Sequence, residues 1–495
     1  MGIHPGALVQ LLPQTLVGFF ALLMLLLGLG SRSDTSRRYL GLLALLGGVV
    51  ALIFIFWQWS WVDKSAFFHG AIEVSRYSLF FCALLVSSVI GCTLLAIAYF
   101  SEYSSERGEY YALMFLSLLG GLMAVSSVDL ISIYVSLELM LIPAYGMTAY
   151  RRRRMRGIES ALKFFLPGAV SSAMLLLGIA LTYGVFATTN LNDIAGFAPQ
   201  LSEVPHSWAS LGLAFMLAGL LTRMAATPFH AWLPDTYEGA PSPVAAFIDT
   251  AIKIAVAAVL VRLLIQPFYA FAKGGAGWRD LMWLLAIVSM SFGNLVAIVQ
   301  QNLKRMLAYS SIANAGFILA ATATLTQSAA SNGAGALLYY LAYYVVVSCG
   351  LFAVVVLLGR FGKDKLEVDR DLQGFGYISP ALGAAFSILL LALAGAPPSM
   401  GFFARFQIMR HLMGHGMTAL TLVMLANMMV ALYYCLRVVA VIYRKEKTDS
   451  PTTLAVHYPA SLVAAIALCA VLALLLGVYP TPLQAVAEAA AASLF

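Results

Sequence analysis

Residues 131–156 read ISIYVSLELMLIPAYGMTAYRRRRMR. The run from Ile131 to Tyr150 is long enough to cross a bilayer as a helix, which takes about 20 residues. It holds Glu138 at its middle and ends on a basic cluster. A charge near the bilayer centre costs at least ~2.5–3.5 kcal/mol, so such a residue marks an ion or proton pathway by default. A second stretch, AAFIDTAIKIAVAAVL at 245–260, places Lys253 in the same position. Membrane helices that carry ionisable groups are therefore the first expectation.

The composition extends that expectation to the whole chain. Of 495 residues, 61% are hydrophobic and 10% charged, against about 25% charged in soluble domains. Apolar runs predict an all-α polytopic membrane protein of about 14 transmembrane helices. They lie near 9–30, 40–58, 78–100, 110–127, 129–150, 159–186, 208–226, 242–265, 279–300, 303–325, 334–359, 379–396, 417–443 and 459–478. No polar region is long enough for a soluble domain, so residues 1–495 read as a single integral membrane domain. The opening MGIHPGALVQLLPQ lacks the basic start and small-residue cleavage site of a secretory signal. Cys82, Cys92, Cys349, Cys435 and Cys469 lie in apolar runs without CxxC spacing and read as small buried hydrophobes. The sequence has no Gly-rich phosphate loop and no cluster of metal-ligand spacing, so neither a cofactor nor a metal is expected on this chain.

Loop charge predicts the orientation. Arg32, Arg37 and Arg38 follow the first span and Arg151–Arg154 with Arg156 the fifth. Lys304 and Arg305 follow the ninth; Arg360, Lys363, Lys365 and Arg370 the eleventh; Arg444, Lys445 and Lys447 the thirteenth. Odd loops thus face the cytoplasm and both termini the other side. The net charge of +7 follows from this bias and calls for no nucleic-acid partner.

Two spans look broken: LTRMAATPFHAWLPD at 221–235 and LALAGAPPSMGFFARF at 391–406. Proline removes a helix hydrogen bond and clashes with the preceding turn. Such breaks survive at membrane depth only where protein or internal water covers the freed backbone. Interrupted spans seven and twelve, five spans apart, predict two inverted five-helix repeats, spans 4–8 (110–265) and 9–13 (279–443).

Charged residues cluster around those breaks. Lys163 lies one turn or so into span six, where it can meet Glu138 across a short hairpin or Glu159 one turn earlier on its own helix. Arg223 precedes the first break, either as a structural cation for freed carbonyls or as a partner of Glu138. His230 follows it, a structural group or a proton carrier. Lys253 is the sharpest signal, since burial penalises a charged lysine and favours proton release. Asp249, one turn earlier, can lock it in a structural bridge instead. Arg405 follows the second break. Asp235 and Glu238 read as residues near the membrane surface, and Asp129 as a helix cap.

Several stretches then resemble one family. YVSLELMLIPAYGMTAYRRRR (134–154), ALKFFLPGAVSSAMLLLGIALTYG (161–184), TPFHAWLPDTYEGAPSPVAAF (227–247), GNLVAIVQQNLKRMLAYSSIANAGF (293–317) and LALAGAPPSMGFF (391–403) are similar to the antiporter-like membrane subunits of respiratory complex I. Within these, PDTYEGAPSPVAAF (234–247) and KRMLAYSSIANAG (304–316) resemble the N subunits of bacterial NADH–quinone oxidoreductase. The resemblance implies a fourteen-helix fold with two inverted repeats in a bacterial inner membrane. It implies a proton relay of Glu138, Lys163, Arg223, Lys253 and Arg405, with His230 and Asp249 as further candidates. NADH, FMN, iron–sulfur clusters and quinone are expected in partner subunits. The partners expected are a neighbouring antiporter-like subunit, small hydrophobic subunits and phospholipids.

Two positions depart from the family's usual lysine: 223 and 405 are arginine. Arginine stays protonated, with a pKa above about 12, and does not cycle through a neutral form. Asp249 stands where a small neutral residue is usual, and Asn314 where histidine often stands. The rival readings are a subunit of a multi-subunit cation/proton antiporter or membrane-bound hydrogenase, and a scaffold whose charges are locked in pairs.

Overall fold

A computed structural model describes residues 9–30, 34–62, 65–68, 70–103, 108–151, 154–201, 203–272, 277–327, 333–359, 366–444 and 458–494. Arg32, Arg152, Arg153, Arg360, Lys363, Lys365, Lys445 and Lys447 of the loop-charge argument lie outside these residues.

The long helices, in chain order, are α1 (Leu12–Gly30), α2 (Asp34–Trp59), α3 (Arg76–Tyr103), α4 (Gly108–Ser126), α5 (Leu130–Thr148), α6 (Met155–Phe186), α7 (Glu203–Met224) and α8 (Trp232–Gly239). They continue with α9 (Ser242–Ile265), α10 (Trp278–Val299), α11 (Leu303–Thr322), α12 (Ala334–Gly359), α13 (Pro380–Ala394), α14 (Met400–Gly414), α15 (Thr418–Ile442), α16 (Ala460–Val478) and α17 (Thr481–Ala492). A short antiparallel hairpin pairs Ser65–Phe67 with Ile72–Val74.

Among the described residues, twelve helices are long and apolar enough to cross a membrane. The sequence reading counts two more, and both have a physical reason to fall short. Helix α11 carries Lys304, Arg305, Ser310, Ser311 and Asn314, which lower its hydropathy although the helix is almost wholly buried. Helix α13 stops at Ala394, because the Pro397–Pro398 break follows.

Caps fix the helix starts. Asp129 accepts from the Ser132 amide (2.9 Å) to open α5, the role its sequence suggests. Asn302 opens α11 by accepting from the Lys304 and Arg305 amides. Helices α6 and α7 approach closely through glycines: a Cβ on Gly178 would lie 2.5 Å from the Gly212 carbonyl. Small residues of this kind let membrane helices pack backbone to backbone. Helices α9 and α12 are buried on nearly every side and form the core.

The two breaks are built alike. Helix α7 ends with Ala225 in the left-handed region (φ 56) and Ala226 N donating to Leu221 O (3.0 Å). Helix α13 ends with Gly395 at φ 83 and Ala396 N donating to Leu391 O (2.9 Å). Both are left-handed helix terminations with a six-residue closing bond. Neighbouring side chains satisfy the freed groups. Trp232 Nε1 donates to Thr222 O (3.0 Å), and Arg405 Nη2 to Leu393 O (2.6 Å). Helix α9 is not uniform either: Ile248–Ile252 form a π turn immediately before Lys253, a local widening often found at functional sites.

Candidate functional site

Three buried polar clusters follow one another through the bundle. The first joins α5, α6 and α7. Arg223 Nη2 donates to Glu138 Oε1 at 2.6 Å and to Ser172 Oγ at 2.8 Å, and Arg223 Nε donates to Ser171 Oγ at 3.1 Å. Ser172 Oγ in turn donates to Glu138 (2.5 Å). The guanidinium side chain is 1% exposed and the carboxylate side chain 22%. The sequence offered two partners for Glu138, and the structure selects Arg223.

Lys163 is not part of this cluster. Its ammonium sits 2.7 Å from Glu159 and 2.9 Å from Asp235, with the side chain 45% exposed. The reason is depth. Glu138 lies ten residues before the end of α5, and the level of α6 that faces it is Ser171–Ser172. That level is about 13 Å further along the helix than Lys163. Lys163 belongs instead to a charged group in which Arg305 also bridges Asp235 (2.8 Å) and Glu238 (3.0 Å), tying α6, α8 and α11 together. Burial works to raise the Asp235 carboxyl, but Lys163 and Arg305 outweigh it and hold it below the ordinary carboxylate range.

The second cluster centres on Lys253. Its ammonium donates to Ser311 O (2.7 Å), to Ser311 Oγ and to Tyr344 OH (3.5 Å), and lies over the Tyr344 ring. Asp249 Oδ1 is 3.7 Å from Lys253 Nζ, an ion pair without a direct hydrogen bond. That carboxylate oxygen accepts from Tyr237 OH (2.8 Å), Ser311 Oγ (2.6 Å) and Tyr344 OH. Asp249 and Lys253 are therefore linked through hydroxyls, and the tight bridge that the spacing allowed does not form. The π turn in α9 contains Asp249 and ends immediately before Lys253.

The third cluster holds Arg405, which is 1% exposed. Its guanidinium donates to Leu393 O (2.6 Å), Asn314 Oδ1 (3.3 Å) and Tyr343 OH (3.4 Å), and packs over the Phe317 ring. Among the described residues no carboxylate pairs with it. Asn314 also accepts from Tyr340 OH (2.6 Å) and donates to Ser310 O (2.9 Å). Ser310 accepts from Tyr434 OH (3.1 Å), which also reaches Asn294 (3.3 Å). A cavity of ≈ 10 Å³, about the room of one water, lies between the second and third clusters and is lined by Asp249, Ser311, Tyr344, Ser310 and Asn314.

His230 follows the first break but joins none of these clusters; its ring packs against Phe292 (4.4 Å). Ser171, Ser172, Tyr237, Ser311 and Tyr344 were not singled out by the sequence, since hydroxyl residues in apolar helices read as core. One signal was available: Tyr340, Tyr343 and Tyr344 recur at helical spacing in α12.

The chain is similar to known proteins along nearly its whole length. The NADH:quinone oxidoreductase/Mrp antiporter transmembrane family model matches residues 127–431. The chain is 33% identical over 480 residues to NADH-quinone oxidoreductase subunit N of Trichlorobacter lovleyi, covering 97% of this chain and 96% of the relative. A chain of respiratory complex I from Thermus thermophilus superposes with a TM-score of 0.79 at 30% identity, covering 96% of this chain and 98% of that one. A chain of the Mrp complex from a Dietzia species has a TM-score of 0.85 at 20% identity, covering 98% of this chain and 97% of that one, a likeness of fold alone.

Proposed function

This chain belongs to the NADH:quinone oxidoreductase/Mrp antiporter transmembrane family, and from that premise we propose that it serves as the proton-translocating membrane subunit N of a bacterial NADH:quinone oxidoreductase. The observation that carries the reading is Lys253, a fully buried ammonium held by hydroxyls and offset from its counter-ion. Such a cation can give up and regain a proton without breaking a tight salt bridge.

The chain acts as fourteen spans with α11 and α13 included, in two inverted repeats, 110–265 and 279–443. The matching terminations at Ala225 and Gly395 support that pairing. Glu138 and Lys253 carry protons. Arg223 and Arg405 are fixed positive elements, since a guanidinium stays charged. Asp249 is the counter-ion of Lys253, Lys163 an outer electrostatic element and His230 a side branch. Quinone reduction in partner subunits changes the charge or hydration at Glu138–Arg223. That change biases Lys253, and the small cavity between Asp249 and Asn314 connects its proton toward the Arg405 cluster. The work is of a reasonable size, about 2.3 kcal/mol per charge per 100 mV.

NADH, FMN, iron–sulfur clusters and quinone belong to partner subunits. A neighbouring antiporter-like subunit and small hydrophobic subunits flank this chain in the inner membrane, with both termini on the non-cytoplasmic side. Subunit N is favoured over an Mrp-type antiporter by the identity shared with the Trichlorobacter relative across nearly the whole chain. The test is Lys253→Ala in the assembled complex in vesicles. Quinone-coupled acidification is expected to fall at least tenfold, and unchanged pumping would remove Lys253 from the mechanism.

A further inference from the structure

At the end of α5 and the start of α6 lies a cavity of ≈ 300 Å³. It is lined by four cationic side chains, Arg151, Arg154, Arg156 and Lys304, and by a single carboxylate, Glu238. That carboxylate already accepts from Arg305 at 3.0 Å. The walls are braced: Arg151 Nη1 donates to Tyr99 OH (3.1 Å), and Lys304 Nζ to Ala240 O (3.2 Å). Arg154 is the N-cap of α6. The first amides of α6 add their partial positive charge to the same side.

The cavity sits where several spans end. Tyr99 is near the end of α3, Thr148 closes α5, Met155 opens α6, and Ala240 precedes α9. Its opening is thus at headgroup depth, where a basic pocket between membrane helices suits an anionic lipid. An apolar lane continues from it. Met155, which lines the cavity, is followed on one face of α6 by Ile158, Leu162 and Leu166, all exposed. Their spacing of three, seven and eleven residues is that of a single helix stripe.

We propose that this cavity is a binding site for the phosphate headgroup of an anionic phospholipid, with one acyl chain laid along the Met155–Leu166 stripe. The basic lining supplies the charge selectivity, and the stripe distinguishes a lipid from free phosphate. The site is separate from the Glu138, Lys253 and Arg405 clusters, so occupancy and pumping can be measured independently.

The test uses the full-length chain, purified in detergent and stripped of lipid, with retention scored by native mass spectrometry. The probes are phosphatidylglycerol, phosphatidylethanolamine with the same acyl chains, and inorganic phosphate. Phosphatidylglycerol is expected to be retained in preference to phosphatidylethanolamine. Retention should weaken roughly tenfold or more in the Arg154→Gln/Arg156→Gln variant, at about 1 kcal/mol per basic residue near the surface. It should return in Arg154→Lys/Arg156→Lys, which separates charge from misfolding. Millimolar inorganic phosphate should not displace the lipid. Equal retention of both lipids, equal retention by the glutamine variant, or displacement by phosphate alone would each overturn the proposal. So would loss of a membrane subunit from the assembled complex carrying the glutamine variant while lipid retention by the purified chain is unchanged, since the face would then belong to a protein.

Discussion

Lys253 Nζ lies 3.7 Å from Asp249 Oδ1 but 2.7 Å from the carbonyl of Ser311, so the buried lysine is nearer to a neutral oxygen than to its own counter-ion. Among the described residues, the Asp249 carboxylate is the one charge in the second cluster that offsets the ammonium.

Asp249→Asn keeps the size of the side chain and removes that charge. Breaking a buried pair by deleting one partner costs about 3–5 kcal/mol. The variant is expected to lose several degrees of thermal midpoint and most quinone-coupled pumping. Asp249→Asn/Lys253→Met leaves neither charge buried and should regain stability without regaining pumping. Recovery of both together in the double variant would show that the pair is structural.

Arg223 spreads three contacts over Glu138, Ser171 and Ser172, a geometry that a single ammonium does not reproduce. Arg223→Lys should therefore lower the thermal midpoint. Because lysine can shed its proton, the same variant should pump at or above the wild-type rate. Glu138→Gln strands a buried guanidinium, and vesicle acidification should fall at least tenfold. Both are read from acidification rates normalised to the amount of assembled complex.

Gly395 stands in the left-handed region at φ 83, and a Cβ there would lie 2.2 Å from Arg405 Nη1. Gly395→Ala thus meets about 1–2 kcal/mol of backbone cost and pushes on the guanidinium that satisfies Leu393 O. Thermal unfolding of the purified chain should show a loss of at least that size. Gly414→Ala, with open space around the added methyl, is the matched control and should be nearly silent.

Asp235 is held below its ordinary carboxylate value by Lys163 and Arg305. A carboxyl lowered on folding contributes stability above its unfolded pKa, and that contribution disappears as pH falls through the lowered folded value. Asp235→Asn should therefore be less stable than wild type at pH 7. The gap should close as pH drops below about 4, the unfolded carboxylate range. A gap that persists unchanged in acid would assign the loss to packing.

The membrane class, the two broken spans and the buried charges were legible because each violates what a bilayer tolerates cheaply. Glu138 and Lys253 stand out in apolar runs, and Pro228 and Pro397 interrupt helices in the open. Pairing was less legible, because helix depth decides it. Lys163 and Ser172 both lie on α6, and only the vertical offset of the α5–α6 hairpin sets the serine against Glu138. The π turn at Ile248–Ile252 has no residue signature at all. Ser311 and the tyrosines looked like ordinary core, since a hydroxyl among apolar residues reveals its bond only once the facing helix is known.

The Ser311 hydroxyl has a consequence of its own. It receives from Lys253 and donates to Asp249 at 2.6 Å, yet a hydroxyl owns one proton. While it gives that proton to Asp249 it can only accept from the lysine, so the contact has a polarity. Reversing that polarity requires the lysine to be neutral and the carboxyl to carry a proton. The orientation of this one small rotor therefore differs between the state in which both groups are charged and the state in which both are neutral.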